Sequence, residues 1–96
     1  MLTDKQQKKF AEFYASARNN DVLSPKTTLL LHLAAAMAVG CIPCMERYLG
    51  AAEKEGVSSE EIGAVQAVVM AVSAGWVGAQ LGEVEKRLRA GGGCCG

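Results

Sequence analysis

Gly40-Cys41-Ile42-Pro43-Cys44-Met45-Glu46-Arg47-Tyr48 is the stretch around which the chain is organised. It places two cysteines between a nearly unbroken apolar segment and an amphipathic one. Pro43 has no N–H and its φ is fixed near helical values, so it fits the first position of a helix. It also disfavours the helical conformation at Ile42. The sequence therefore predicts a helix that begins at Pro43, with Ile42 as its cap and Cys41 just outside it.

The two cysteines of this stretch are candidates for redox chemistry. Cys44 falls in the first turn of the predicted helix, where unpaired N–H groups and the helix dipole stabilise a thiolate, the reactive form of cysteine. One tight turn brings the Cα atoms of Cys41 and Cys44 within disulfide range. Two other interpretations stay open. The pair is ordinary apolar packing, or it is half of a zinc site whose two further ligands come from His32, Cys94 and Cys95.

The composition indicates one small domain with no general affinity for polyanions. The chain has 96 residues, a formal net charge of zero and four cysteines. Because a chain this small buries only about two-thirds of its unfolded surface, partner subunits would help to stabilise it. No basic cluster with interleaved aromatic residues suggests nucleic-acid binding. The longest apolar run, 29–45, is too short and too broken for a membrane span. We expect a cytoplasmic protein, in which cysteines are more often catalytic or metal-binding than structural.

Apolar periodicity and capping residues predict an all-α fold of about five helices. Ser24-Pro25 is a cap followed by a first-turn proline, Gly40 is suited to end the helix that follows, and Ser58 with Glu61 forms a capping box. The predicted helices cover 3–18, 25–39, 43–55, 59–74 and 80–89. Residues 1–90 form the domain, and 91–96 form a flexible tail of glycines and cysteines.

Small residues recur every four positions in the second half of the chain. One row is Gly63, Ala67, Ala71, Gly75 and Ala79. Such rows let two helix backbones approach closely. Packing within the chain is one interpretation, and a subunit contact is the one we favour because the domain is small.

His32 and Tyr48 are the other candidate site residues. His32 is the single histidine and lies in the middle of the second predicted helix. It is either a core residue or a proton relay to the cysteines, because imidazole titrates near neutral pH. Tyr48 follows Cys44 by one helical turn, so its hydroxyl can reach the surroundings of the thiol, or its ring simply packs.

Residues 23–64 resemble the carboxymuconolactone decarboxylase superfamily, and within it the alkylhydroperoxidase-like (AhpD-like) branch. The resemblance lies in four features: the 23–27 opening of an apolar helix, the Gly40-Cys41-x-x-Cys44 motif, the helix end at 51–57 and the helix start at 59–62. It implies an all-α fold and assembly into trimers or hexamers. It also implies peroxide reduction through a cysteine sulfenic acid and an internal disulfide, with Cys44 attacking, Cys41 resolving and no cofactor.

Two positions of that branch differ here. Its glutamate, twelve residues before the first cysteine, is Leu29 in this chain, and its histidine, four after the second, is Tyr48. His32 lies nearly one turn after Leu29 on the same side of the helix. We therefore expect His32 to supply the missing base, with Tyr48 as its hydrogen-bond partner.

The resulting hypothesis is a thiol–disulfide oxidoreductase or peroxidase. Its partners would be a peroxide or disulfide substrate, a dithiol electron donor protein and further copies of the chain, with neither nucleic acid nor membrane. The alternative is a non-catalytic thiol sensor or a soft-metal-binding oligomer, in which Cys94 and Cys95 bind the ion.

Overall fold

The computed structural model describes residues 1–91, and over that range it confirms the all-α class. The predicted roles of Cys94 and Cys95 lie outside the described residues. The described helices are α1 (Asp4–Arg18), α2 (Pro25–Val39), α3 (Ile42–Lys54) and α4 (Ser59–Arg89). The last two predicted segments are one continuous helix, so the expectation of about five helices was one too many. Gly75 and Gly78 lower helix propensity, but the backbone stays helical through both.

The helix ends follow the local signals that the sequence carries. The side chain of Ser24 accepts a hydrogen bond from the Thr27 N–H at 3.1 Å, and Pro25 is the first residue of α2. Ser58 and Glu61 form the predicted capping box at the start of α4. Gly56 adopts a φ of 78° after α3, a conformation that costs glycine little.

The connection between α2 and α3 consists of Gly40 and Cys41 alone. Gly40 has a φ of 74°, and the Cys41 N–H donates to the Ala36 carbonyl at 2.9 Å, as in a Schellman ending. Cys41 is at once the N-cap of α3, and Ile42 is its first helical residue. The predicted start at Pro43 was therefore one residue late. The N–H groups of the first helical turn have no carbonyl partners within the helix. A proline, which lacks an N–H, therefore fits at the second position as well as at the first.

The core lies mainly between α2 and α3. It is a small cluster of buried apolar residues: Leu29, Leu33, Ala36, Tyr48, Ala52 and Val57. Thr28 is buried beside it and accepts a hydrogen bond from the Asn20 side chain at 3.0 Å, which attaches the end of α1 to α2.

The fourth helix packs against α2 only with its first part. An ion pair between Lys26 and Glu61 joins the two helices, and no residue of α4 is fully buried. At 31 residues it is about 46 Å long. The radius of gyration is 19.0 Å, whereas a compact chain of this length would have about 12–13 Å.

By length and composition alone, α4 could also cross a membrane. Among the described helices it is the one that meets this criterion, with a mean hydropathy of 1.7 over its most apolar 18-residue window and 0% of that window buried. This segment was not predicted from the sequence, because two shorter helices were expected in place of α4.

The predicted rows of small residues do not face another helix of the chain. Gly63, Ala67, Ala71, Gly75 and Ala79 are all exposed. A Cβ built at Gly63 or Gly75 would meet nothing within 4 Å. Within residues 1–91, the interpretation as packing inside one chain is therefore wrong.

Candidate active site

Cys41 and Cys44 are joined in a disulfide at the start of α3, with their Cα atoms 5.2 Å apart. Both residues are half-buried. Cys41 is the N-cap and Cys44 is three residues further on, so the first helical turn itself sets their separation. The Cys44 N–H donates a hydrogen bond to Cys41 Sγ at 3.3 Å.

This position favours negative charge on sulfur. The N–H groups of the first turn lack helical partners and carry the positive end of the helix dipole. No acidic residue lies in the first turn of α3 to oppose them. In the reduced pair, a hydrogen bond from the Cys44 N–H to Cys41 Sγ would stabilise a thiolate on Cys41.

Tyr48, one turn after Cys44, is part of the core. Its side chain is only 3% exposed. The ring of His32 stacks on it with a centroid distance of 4.8 Å and an interplanar angle of 27°. The buried Tyr48 hydroxyl has no hydrogen-bond partner among residues 1–91. The predicted hydrogen bond between His32 and Tyr48 is therefore wrong, because the two rings meet face to face and the imidazole N–H lies in its own ring plane.

His32 is half-buried, and its pKa is lowered from the usual 6.5. Burial disfavours the charged imidazolium, and the positive charge of Arg18 opposes a second positive charge nearby. His32 is accordingly a neutral imidazole at neutral pH, the form that accepts a proton.

Two residues of α1, to which the sequence analysis gave no functional role, pack on the rings of His32 and Tyr48. The Arg18 guanidinium carbon lies 5.2 Å from the centre of the Tyr48 ring, within cation–π range. The Tyr14 ring lies 6.0 Å from that of His32. Because Tyr14 and Arg18 are four residues apart on one helix, the sequence predicts that they share a face. It does not predict which residues that face contacts.

A cleft of about 500 Å³ lies between α1 and α3, beside the cysteine pair. Its α1 side includes Phe10 and Tyr14, and its α3 side includes Cys44, Arg47 and Tyr48. Cys41 is not one of its lining residues, so the cleft gives the two cysteines different surroundings.

Metal ligands do not gather in the described part of the chain. Over residues 1–91, no three side chains among histidine, cysteine, aspartate and glutamate are placed to hold one ion. His32 therefore does not join Cys41 and Cys44 as a third ligand, which was one of the arrangements that the zinc interpretation allowed. The part of that interpretation that involves Cys94 and Cys95 lies outside the described residues.

A comparison with known families shows the family to which this chain belongs. Residues 5–81, most of the chain, match the model of the carboxymuconolactone decarboxylase family. The chain belongs to that family. No curated protein and no solved structure gave a match.

Proposed function

We propose that the protein is an AhpD-like thiol–disulfide oxidoreductase that reduces peroxides or disulfides with the Cys41–Cys44 pair. The observation that supports this most is the disulfide at the start of α3, with a sulfur that accepts a helix N–H. Family membership is a second support. A dithiol donor requires a reducing compartment, so the proposal includes a cytoplasmic location.

In the oxidative half, Cys44 attacks because it borders the cleft in which an oxidant can bind. Its thiolate forms a bond to one peroxide oxygen and the O–O bond breaks. The other oxygen leaves as alkoxide or hydroxide and takes a proton to become alcohol or water. Cys44 is then a sulfenic acid. The Cys41 thiolate attacks that sulfur, hydroxide leaves and is protonated to water, and the pair has lost two electrons to the peroxide.

In the reductive half, a dithiol protein returns the two electrons. Its thiolate attacks Cys44 Sγ, and Cys41 leaves as a thiolate that the Cys44 N–H stabilises. The second thiol of the donor then breaks the mixed disulfide, so that the donor becomes a disulfide and the Cys41–Cys44 pair is a dithiol again. Cys41 carries negative charge both when it attacks the sulfenic acid and when it leaves from the disulfide. The hydrogen bond to Cys41 Sγ stabilises that charge in both steps.

His32 is the proposed proton acceptor, in place of the glutamate and histidine that the branch uses. Burial and the charge of Arg18 lower its pKa, which keeps the imidazole neutral and able to accept a proton. It stacks on Tyr48, which follows Cys44 by one helical turn, and we propose that the proton passes from the cysteines to His32 through solvent. His32→Ala should slow peroxide reduction and raise the pH at which the pair becomes reactive. An unchanged pH–rate profile would contradict this role.

The test of the function is the reaction of the reduced protein with hydrogen peroxide across pH, followed by mass spectrometry. A Cys94→Ser/Cys95→Ser background confines the chemistry to Cys41 and Cys44. We expect rapid formation of their disulfide, with an apparent pKa below the usual thiol value of about 8.5. In Cys41→Ser, a sulfenic acid should accumulate on Cys44, and Cys44→Ser should react much more slowly. The reverse result would exchange the two roles.

Slow, unselective oxidation would contradict the oxidoreductase. Stoichiometric zinc or arsenite binding by the reduced full-length protein, without turnover, would then favour the alternative, a thiol sensor or soft-metal-binding oligomer.

The second part of the proposal is that the exposed face of α4 contacts further copies of this chain. Its support is an uncharged stretch, 62–82, in which the small-residue row and every residue from Met70 onward are exposed within the described part of the chain. Exposed apolar patches of this kind are typical of contact surfaces. Sedimentation should give an assembly of defined size, a trimer or hexamer. A monomer that floats with phosphatidylcholine vesicles would instead assign α4 to a membrane.

A further inference from the structure

The cleft between α1 and α3 has the size of a small-molecule site. Its volume is about 500 Å³, and ligand sites commonly have about 300–1,000 Å³. Cys44, the proposed attacking residue, is one of its lining residues. A molecule held in the cleft would therefore lie next to the sulfur that reacts.

Apolar and aromatic side chains form most of the cleft. Phe10 and Tyr14 come from α1 and Pro43 from α3. Phe10 is 59% exposed although it is a large apolar residue. Covering it with a ligand would remove apolar surface from water, which favours binding of a hydrophobic group.

Arg47 is the one charged side chain that lines the cleft. It takes part in none of the ion pairs or side-chain hydrogen bonds formed within residues 1–91. It follows Cys44 by three residues, so the two side chains lie on the same side of α3. No carboxylate lines the cleft to neutralise it.

From this arrangement we infer that the cleft binds an organic hydroperoxide with an apolar body and a carboxylate, the carboxylate pairing with Arg47. This inference rests on the proposed peroxidase function of Cys44. The hydroperoxide is the oxidant: its O–O bond breaks, one oxygen goes to Cys44 Sγ, and the other leaves as the alcohol. The carboxylate is not changed, and it serves to place the peroxide group over the sulfur.

A matched pair of substrates tests the inference. One is cumyl hydroperoxide with a para-carboxylate, and the other is its methyl ester, with hydrogen peroxide as a third oxidant. Rates of Cys41–Cys44 disulfide formation are measured for the reduced full chain in the Cys94→Ser/Cys95→Ser background. The ratio of acid to ester rates is the readout, because a change in thiol reactivity cancels from it.

We expect the acid to react about two- to fivefold faster than the ester, the size of one surface ion pair. Arg47→Gln should bring the ratio to one, and Arg47→Lys should restore part of it. Lys54→Gln, which removes a cation from the same helix outside the cleft, should leave the ratio unchanged. Phe10→Ser should slow both cumyl substrates roughly five- to tenfold relative to hydrogen peroxide.

The possible failures are distinguishable. If none of the three oxidants forms the disulfide, the proposed peroxidase function is wrong and the substrate inference falls with it. If the disulfide forms but acid and ester react equally, or if the preference survives Arg47→Gln, the function stands and the inference is overturned.

Discussion

Two regions of this chain have similar apolar composition and opposite surroundings. The paired helices α2 and α3 bury a cluster of apolar residues against each other, and Leu33 is 1% exposed. In α4, every residue from Met70 to Arg89 is exposed, including Trp76 at 63%. The two regions differ because α2 and α3 pack against each other, whereas the exposed part of α4 has no neighbouring helix among the described residues. An apolar helix is stable in water only where another surface covers it.

The comparison indicates that the redox site and the contact surface are separate parts of the fold. The site needs a rigid turn between α2 and α3, and the local core around Leu33 and Tyr48 supports that turn. The exposed part of α4 contributes nothing to that core. The following predictions test this separation, from the largest expected effect to the smallest.

Leu33→Ala should reduce the free energy of unfolding by about 2–5 kcal/mol, because it leaves a cavity in the core. Val72→Ala, at a residue of α4 that is 68% exposed, should cost the dissociated chain less than about 0.5 kcal/mol. Urea unfolding at low protein concentration measures both. Equal losses would mean that α4 belongs to the same cooperative core.

Val72→Arg should weaken self-association at least about tenfold, because it places a charge in an apolar contact. Val84→Arg is the matched control, because Val84 is also an exposed valine of α4 but lies beyond the uncharged stretch 62–82, among the charged residues at the end of the helix. Sedimentation over a concentration series gives the dissociation constants. If both variants associate like the wild type, α4 is not the contact surface.

Reduction of the Cys41–Cys44 disulfide should lower the free energy of unfolding by about 2 kcal/mol or less, because the closed loop is very short. Reduction should leave self-association unchanged, since no residue of α4 is buried against the two cysteines. Unfolding and sedimentation with and without a dithiol measure the two effects. Dissociation on reduction would show that the two regions are coupled.

The unfolding free energy should fall as the pH drops below about 6.5, the usual pKa of histidine. The pKa of His32 is lowered in the folded chain, so between that lowered value and 6.5 the unfolded state binds more protons. Acid therefore favours unfolding in this window, and stability is regained above it. His32→Gln should flatten this part of the pH profile in urea unfolding. If the unfolding free energy of His32→Gln still falls with pH in this window, other titratable groups cause the fall.

The sequence by itself determined the all-α class, the starts of α2 and α4, the end of α2 and the spacing of the cysteine pair. Ser24-Pro25, Gly40 and the Ser58–Glu61 box act within one helical turn, and the Cys41–Cys44 spacing sets the Cα separation of the disulfide. All of these depend on neighbours in the chain, so they are readable without the fold. The exact cap of α3 was missed by one residue, because proline is tolerated at either of two first-turn positions.

Only the tertiary structure decided which side chains meet. His32 and Tyr48 stack face to face and form no hydrogen bond with each other, Arg18 lies over the Tyr48 ring, and Arg47 lines the cleft beside Cys44. These contacts join α1, α2 and α3, and the spacing of residues in one helix does not specify the rotation of the next. The exposure of α4 was equally hidden, because an apolar sequence predicts that a helix will be covered but not whether its own chain supplies the cover.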